Sequence, residues 1–266
     1  QRLGIVARHG EPDRIDERNA MNKTSAMPDE LARDAPGPGL IGLAERGLLP
    51  DALLRHGIRR QCEARVCIEQ EGGLQAQAAR FRERIAQLRN SPVAIHTDAA
   101  NAQHYELPPA FFKHCLGNRL KYSCGYYPRG DETLDQAEEA MLALYSERAE
   151  LADGQHILEL GCGWGSLTLW MAERFPNARI TAISNSRTQR EYIEAQCRVR
   201  GFDHVRVVTC DVNRLQLDAA RFDRCVSIEM FEHMRNYETL LGDISGWLKP
   251  GGKLFVHIFA HRTLMY

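Results

Sequence analysis

Apolar residues follow two different rhythms along the 266-residue chain, and the change of rhythm divides it. From Leu40 to about Arg89 they recur at helical spacing in LLPDALLRHGIRRQCEARVCIE and LQAQAARFRERIAQLR, with Gly72-Gly73 as a break between the two runs. Thr133 to Ala149 carries the same signature of an amphipathic helix. From His156 onward short apolar runs alternate with helical stretches. The pattern predicts strands at His156–Leu160, Arg179–Ser184, Val205–Cys210, Asp223–Ile228 and Lys253–Ala260, with helices near 166–175, 187–200 and 236–248. Repeated strand–helix–strand units of this kind predict an α/β fold with a doubly wound, mostly parallel sheet. Residues 1–39, charged and broken by Pro28, Pro36 and Pro38, read as disordered or loosely attached. Residues 40–103 then form an N-terminal helical extension, and 104–266 the α/β domain.

Composition narrows the class. An apolar content of 44% supports a true core, and a net charge of −1 supplies no global attraction for nucleic acid. Eight cysteines without any CxxC pair argue against a zinc ribbon, a redox dithiol or a secreted disulfide framework, so no metal is expected and a reducing, cytoplasmic setting is. No apolar run reaches bilayer-spanning length. Membrane contact is therefore peripheral at most, through Arg59-Arg60 and the Arg80, Arg82, Arg84 group, which equally suit solvated helix faces.

The most informative stretch is Ile157-Leu158-Glu159-Leu160-Gly161-Cys162-Gly163-Trp164-Gly165, an apolar strand feeding a glycine-rich turn that opens a helix. Three glycines at alternate positions let the main chain approach a ligand closely. A dinucleotide fingerprint places its third glycine one residue later, and no Lys-Ser or Lys-Thr follows to make a phosphate loop. With Glu159 two residues before the first glycine, the spacing favours S-adenosylmethionine over NAD. The carboxylate attracts the cofactor's ammonium, and the helix start offers N–H groups to its carboxylate.

Ligands of such sheets sit at the carboxyl ends of the strands. That rule gathers Ser184, Asn185, Asp211, Val212 and the segment Glu229 to His233 around one crevice, with Gln189 one turn into the next helix. Asp211 suits either an adenine contact or a loop cap. Glu229, Glu232 and His233 combine two carboxylates with an imidazole able to work as a general base, or they fix the loop. Tyr122-Ser123-Cys124-Gly125-Tyr126-Tyr127 is either a segment closing over a sulfonium ion or a packed aromatic loop. His257 stands alone in an apolar strand, where company decides its role.

YSCGYY, ILELGCGWGSL, SNSRTQ, SIEMFEHM and LFVHIF together resemble, in order and spacing, the cyclopropane fatty acid synthase and coclaurine N-methyltransferase group of class I methyltransferases. The resemblance runs from about His104 to the C-terminus. It implies S-adenosylmethionine over Ile157 to Gly165, with Tyr122 and Ser123 above it, Ser184 to Gln189 beside the ribose and methionyl part, and Asp211-Val212 at the adenine. In the lipid branch it implies a bicarbonate base held by the counterparts of Cys124, Glu232 and His257, usually with glycine where this chain has Glu229. HYELP, Glu229 with Glu232 and His233, and AEEAMLALYSERA look more like the alkaloid branch. The acceptor implied is a small amine, with Glu232 and His233 removing or relaying its proton and Glu229 orienting it; the alternative acceptor is an unsaturated lipid acyl chain. A cofactor-binding module without catalysis is a minor alternative. The resemblance also places the final strands of the sheet beyond Tyr266.

Overall fold

A computed structural model describes residues 39–95 and 109–261, and these fall into two compact units divided between Arg82 and Glu83. The first is helical: α1 (Gly39–Glu45), α2 (Asp51–Gln70) and the greater part of α3 (Gly73–Arg89). Gly72 and Gly73 both have positive φ, +76° and +70°, and turn the chain where the sequence breaks. The Arg80 guanidinium donates to the Glu69 carbonyl across this turn at 2.7 Å. Neither α2 nor α3 buries a residue. No described helix is long and apolar enough to cross a membrane.

The second unit holds α4 (Pro109–Cys115), α5 (Leu134–Arg148), α6 (Ser166–Arg174), α7 (Arg187–Arg200) and α8 (Tyr237–Trp247) around one sheet. Its strands are β1 (His156–Leu160), β2 (Arg179–Ser184), β3 (Val205–Thr209), β4 (Phe222–Ile228) and β5 (Leu248–His257), all parallel in the order 3-2-1-4-5. Alternation along the strands sorts side chains between two cores. Ile157, Ile180 and Val226 join Leu142, Tyr145, Trp170 and Met171 on one face; Leu158, Leu160, Ile183 and Cys225 join Leu240, Ile244 and Trp247 on the other. The helices on both faces make the sheet doubly wound, as the sequence pattern predicts.

β5 corrects one boundary. The strand expected at Lys253–Ala260 begins at Leu248, paired with Phe222, and ends at His257. Lys249 to Gly252 interrupt the register between Phe222 and Arg224, and this turn-like LKPGG text hides the strand's start.

α5 begins with a capping box, Thr133 Oγ1 accepting the Gln136 N–H and Gln136 Oε1 accepting the Thr133 N–H. It turns Ala137, Glu138, Leu142 and Tyr145 inward. Gly165 starts α6 at φ +79°, where an added Cβ would lie 2.6 Å from Ile193 Cγ1. Gly165→Ala should therefore cost about 2–4 kcal/mol in urea denaturation, combining the left-handed penalty with overpacking. Gly201→Ala, at φ +71° with open space around its Cβ position, should cost only about 1–2 kcal/mol.

Candidate active site

A cleft of about 240 Å³ opens at the carboxyl ends of the strands, where the glycine turn leaves β1. Glu159, Leu160, Gly161, Cys162, Gly163 and Trp164 line it from the turn, Ser184, Asn185 and Gln189 from β2 and α7, and Cys210 and Val212 from the end of β3. Tyr122 and Ser123 close one side, and Glu229, Met230 and His233 another. Gly161 sits at φ +78°, and a Cβ there would meet Met230 at 2.9 Å.

Ile157 and Leu158 are fully buried in the two cores and do not reach the cleft. Gly165 sets the start of α6 and is likewise absent from its lining. Asp211 directs Oδ1 to Asn213 N at 2.8 Å and caps the short 3-10 turn Val212–Arg214; its neighbours Cys210 and Val212 face the cleft instead.

Three polar atoms around the cleft, Trp164 Nε1, Ser166 Oγ and Gln189 Nε2, are buried without a hydrogen-bond partner. Buried polar atoms are nearly always satisfied, so three beside one cavity mark it as built for a polar ligand. Gln189 Oε1 accepts from the Ser184 hydroxyl at 2.7 Å, which fixes the amide. Trp164 is held by Phe112 and Tyr192, ring centroids 4.9 and 5.6 Å away. Glu159 is 3% exposed, with Thr168 Oγ1 donating to it at 2.5 Å, and burial raises its carboxyl to about 8.

A second, more open cavity beside it shares Lys121, Tyr122, Ser123 and Glu229 with the first and adds Leu116, Cys124, His257 and Phe259. Sheet geometry assembles it: Ile228 pairs with His257, and the Glu229 N–H continues the ladder to the His257 carbonyl at 2.8 Å. Glu229 Oε1 accepts the Cys124 N–H at 3.2 Å and lies 3.9 Å from His257 Nδ1. His257 Nε2 is 3.9 Å from Cys124 Sγ, and the Cys124 sulfur, a Glu229 carboxylate oxygen and a His257 ring nitrogen all lie within 4.8 Å of one another. Glu229 has φ +50°, an uncommon conformation for a residue with a Cβ. Burial pushes the Cys124 thiol above its ordinary range against the pull of Lys121, and lowers His257 against the pull of Glu229.

Glu232 lies in neither lining; its Oε1 accepts the Phe259 N–H at 3.0 Å while its buried Oε2 has no partner. His233 is exposed at the edge of the first cleft. Sequence reasoning missed Lys121 and Tyr145, although Lys121 directly precedes the YSCGYY segment and Tyr145 falls on the inward face of the amphipathic helix.

This sheet order, with a glycine turn after β1 and a crevice at the strand ends, is the fold of the class I methyltransferases. The chain belongs to the mycolic acid cyclopropane synthetase family, whose model matches residues 94–264. It is 39% identical over 227 residues to (S)-coclaurine N-methyltransferase of Thalictrum flavum subsp. glaucum, covering 85% of this chain and 63% of that protein. It is 32% identical over 162 residues to cyclopropane-fatty-acyl-phospholipid synthase of Escherichia coli strain K12, covering 60% of this chain and 40% of that protein. Among solved structures, coclaurine N-methyltransferase bound to N-methylheliamine and SAH superposes with a TM-score of 0.79 at 40% identity, covering 84% of this chain and 64% of the other. The cyclopropane synthase MmaA2 from Mycobacterium tuberculosis gives 0.55 at 26% identity, covering 62% and 57%. The chain spans less than two thirds of the length of its coclaurine N-methyltransferase relatives.

Glu159 makes stability depend on pH. The native carboxyl keeps its proton up to about 8, whereas an unfolded glutamate loses it near about 4.3. The associated stability is full below the unfolded value and is lost as pH rises through the native one. Between about pH 5 and pH 9, Glu159→Gln should lose less stability than the parent chain, by on the order of 3 kcal/mol in urea melts.

Proposed function

We propose that this chain is the cofactor- and acceptor-binding part of an S-adenosylmethionine-dependent methyltransferase acting on the nitrogen of a small amine. The observation that carries the reading is Glu229, a carboxylate held at positive φ on the boundary shared by the two cavities. The coclaurine N-methyltransferase relatives support the same acceptor class.

The first cleft fits S-adenosylmethionine. Glu159, kept protonated by its burial, becomes the carboxylate partner of its ammonium when the two come together; Trp164, Ser166 and Gln189 offer unpartnered polar atoms, and the Gly161 turn leaves room that a Cβ would fill. When bound, that cofactor supplies an already activated, electrophilic methyl group. The protein's task is alignment, worth roughly 7–11 kcal/mol in favourable cases, together with control of the acceptor's proton.

Glu229 draws an ammonium acceptor to the boundary between the cavities and orients its nitrogen. His233 at the edge of the first cleft and His257 in the wall of the second remove or relay the proton that blocks the lone pair, whereas Glu232, which lines neither cavity, holds the Phe259 N–H that borders the second. Cys124 and His257 complete the wall around Glu229. An uncharged lipid alkene has no use for a carboxylate in this place, so the site favours the amine over the acyl chain. Asp211 and Val212 are assigned to the adenine end, Val212 by lining the cleft and Asp211 by shaping the turn that presents it.

With methyl-labelled cofactor, label should pass to aromatic secondary amines such as coclaurine and not to unsaturated phospholipid vesicles; the reverse distribution sinks the reading. Glu229→Gln should lower kcat/KM for the amine by roughly 10²-fold or more. Glu229→Gly should be equally inactive yet about 1 kcal/mol more stable than Glu229→Ala in denaturant titration, because only glycine relieves the left-handed backbone.

A further inference from the structure

We propose that Lys121, acting through the Tyr145 hydroxyl, sets which ring nitrogen of His257 carries the proton, and so whether this imidazole offers an N–H or a lone pair to the second cavity. Lys121 and Tyr145 are then positioning residues, and the consequence for catalysis rests on the amine-methylating reading above.

The chain of contacts is continuous. Lys121 Nζ lies 3.1 Å from Tyr145 Oη, and Tyr145 Oη lies 2.8 Å from His257 Nδ1. The opposite ring nitrogen, Nε2, faces Cys124 Sγ at the cavity wall. Lys121 is 3% exposed, and its other polar partner is the Ser123 hydroxyl. Its ammonium stands 4.8 Å from the Tyr145 ring centroid. Among the described residues it forms no ion pair within 4.0 Å, unlike Arg119, which is paired with Glu139 and Glu173. A buried ammonium without such a partner releases its proton readily.

The Tyr145 hydroxyl, which also meets the Ser123 hydroxyl and the Cys124 thiol, has one hydrogen and two basic nitrogen neighbours, Lys121 Nζ and His257 Nδ1. While Lys121 is charged it donates to Tyr145 Oη, the tyrosine proton goes to His257 Nδ1, and Nε2 carries the imidazole hydrogen toward the cavity. Once Lys121 is neutral its lone pair takes the tyrosine hydrogen bond. Nδ1–H then donates to Tyr145 Oη, and Nε2 presents a lone pair able to accept an acceptor's proton. Atoms balance: the ammonium N–H on the acceptor breaks, His257 Nε2–H forms, and Nδ1–H and the tyrosine hydrogen shift along the chain until the proton rests on Lys121 Nζ.

The surrounding charges leave this exchange in an accessible range. Burial lowers Lys121 to about 8, opposed by Cys124, Glu229 and Glu138. Burial also lowers His257, with Glu229 and Glu232 opposing and Lys121 and Arg148 assisting, so the ring is neutral where Lys121 titrates. Burial raises Tyr145, which keeps its proton throughout.

The test is ring-nitrogen NMR of the chain labelled with ¹⁵N-histidine, His257 being assigned by the signal missing from His257→Gln. Between about pH 6.5 and about pH 9.5 the hydrogen should move from Nε2 to Nδ1, with a midpoint near that of Lys121. Tyr145→Phe and Lys121→Met should abolish the movement, and Lys121→Arg, permanently charged, should hold Nε2–H at every pH. Where the chain methylates an amine, kcat should rise roughly tenfold between about pH 7 and about pH 9, and Tyr145→Phe should flatten that limb. A His257 signal that does not move, or that moves equally in Tyr145→Phe, overturns the proposal. Moving signals in a chain that methylates no amine uphold the switch and overturn only the amine reading.

Discussion

The buried carboxylate of Glu138 accepts backbone N–H groups from Gly117 at 2.9 Å, Arg119 at 2.9 Å and Lys121 at 3.3 Å. At 1% exposure such a charge is tolerable only when hydrogen-bonded on this scale. Asp135, one turn earlier, holds Asn118 through both its N–H and its side-chain amide. Together they staple an irregular segment to α5, and that segment delivers Lys121, Ser123 and Cys124 to the cavities. The inward face of α5 carries both Glu138 and Tyr145, so one helix orients the loop and supplies the link to His257. Without Glu138 the segment would have three backbone donors to satisfy elsewhere, and the wall of both cavities would lose its fixed geometry.

The opposite wall comes from the sheet. Parallel strands end at similar heights, so the residues following β1, β2, β3 and β4 and the end of β5 meet at one edge. Chemistry is divided along that edge. Uncharged groups and the nearly buried Glu159 line the end over β1 and β2, whereas Glu229, His257 and Cys124 cluster over β4 and β5. Two cavities sharing Glu229 are the outcome, one over the glycine turn and one over the ends of β4 and β5.

Much of this was legible in the sequence because it is local. β1 and β2 fall where their apolar runs lie, and the glycine turn and the Gly72-Gly73 break are where they were read. β5 was partly hidden, since a Pro-Gly-Gly text disguises a strand whose start is fixed by pairing with Phe222. Side-chain destinations were less readable. Ile157 and Leu158 belong to the two cores, and Asp211 spends an oxygen on Asn213, outcomes decided by strand alternation and by turn chemistry two residues away. Lys121 and Tyr145 were invisible for a different reason. Their significance comes from contacts spanning 24 and 112 residues of chain, and neither residue type signals it alone.

Glu229 brings the local and the global together. Its left-handed backbone costs about 1–2 kcal/mol, which a glycine would avoid. That residue is the one the resemblance associates with lipid-modifying relatives, whose acceptors carry no charge at the reacting carbon. A carboxylate and an ammonium about 4 Å apart attract by about 4 kcal/mol at the effective dielectric of a partly buried site. For a cationic acceptor the attraction exceeds the strain, and for an alkene only the strain remains. A glutamate kept at this position by the Cys124 N–H is therefore most useful when the acceptor arrives protonated, which in turn requires groups nearby to take the proton away. In the proposed reaction the imidazoles of His233 and His257, on either side of Glu229, are the groups placed to meet that requirement.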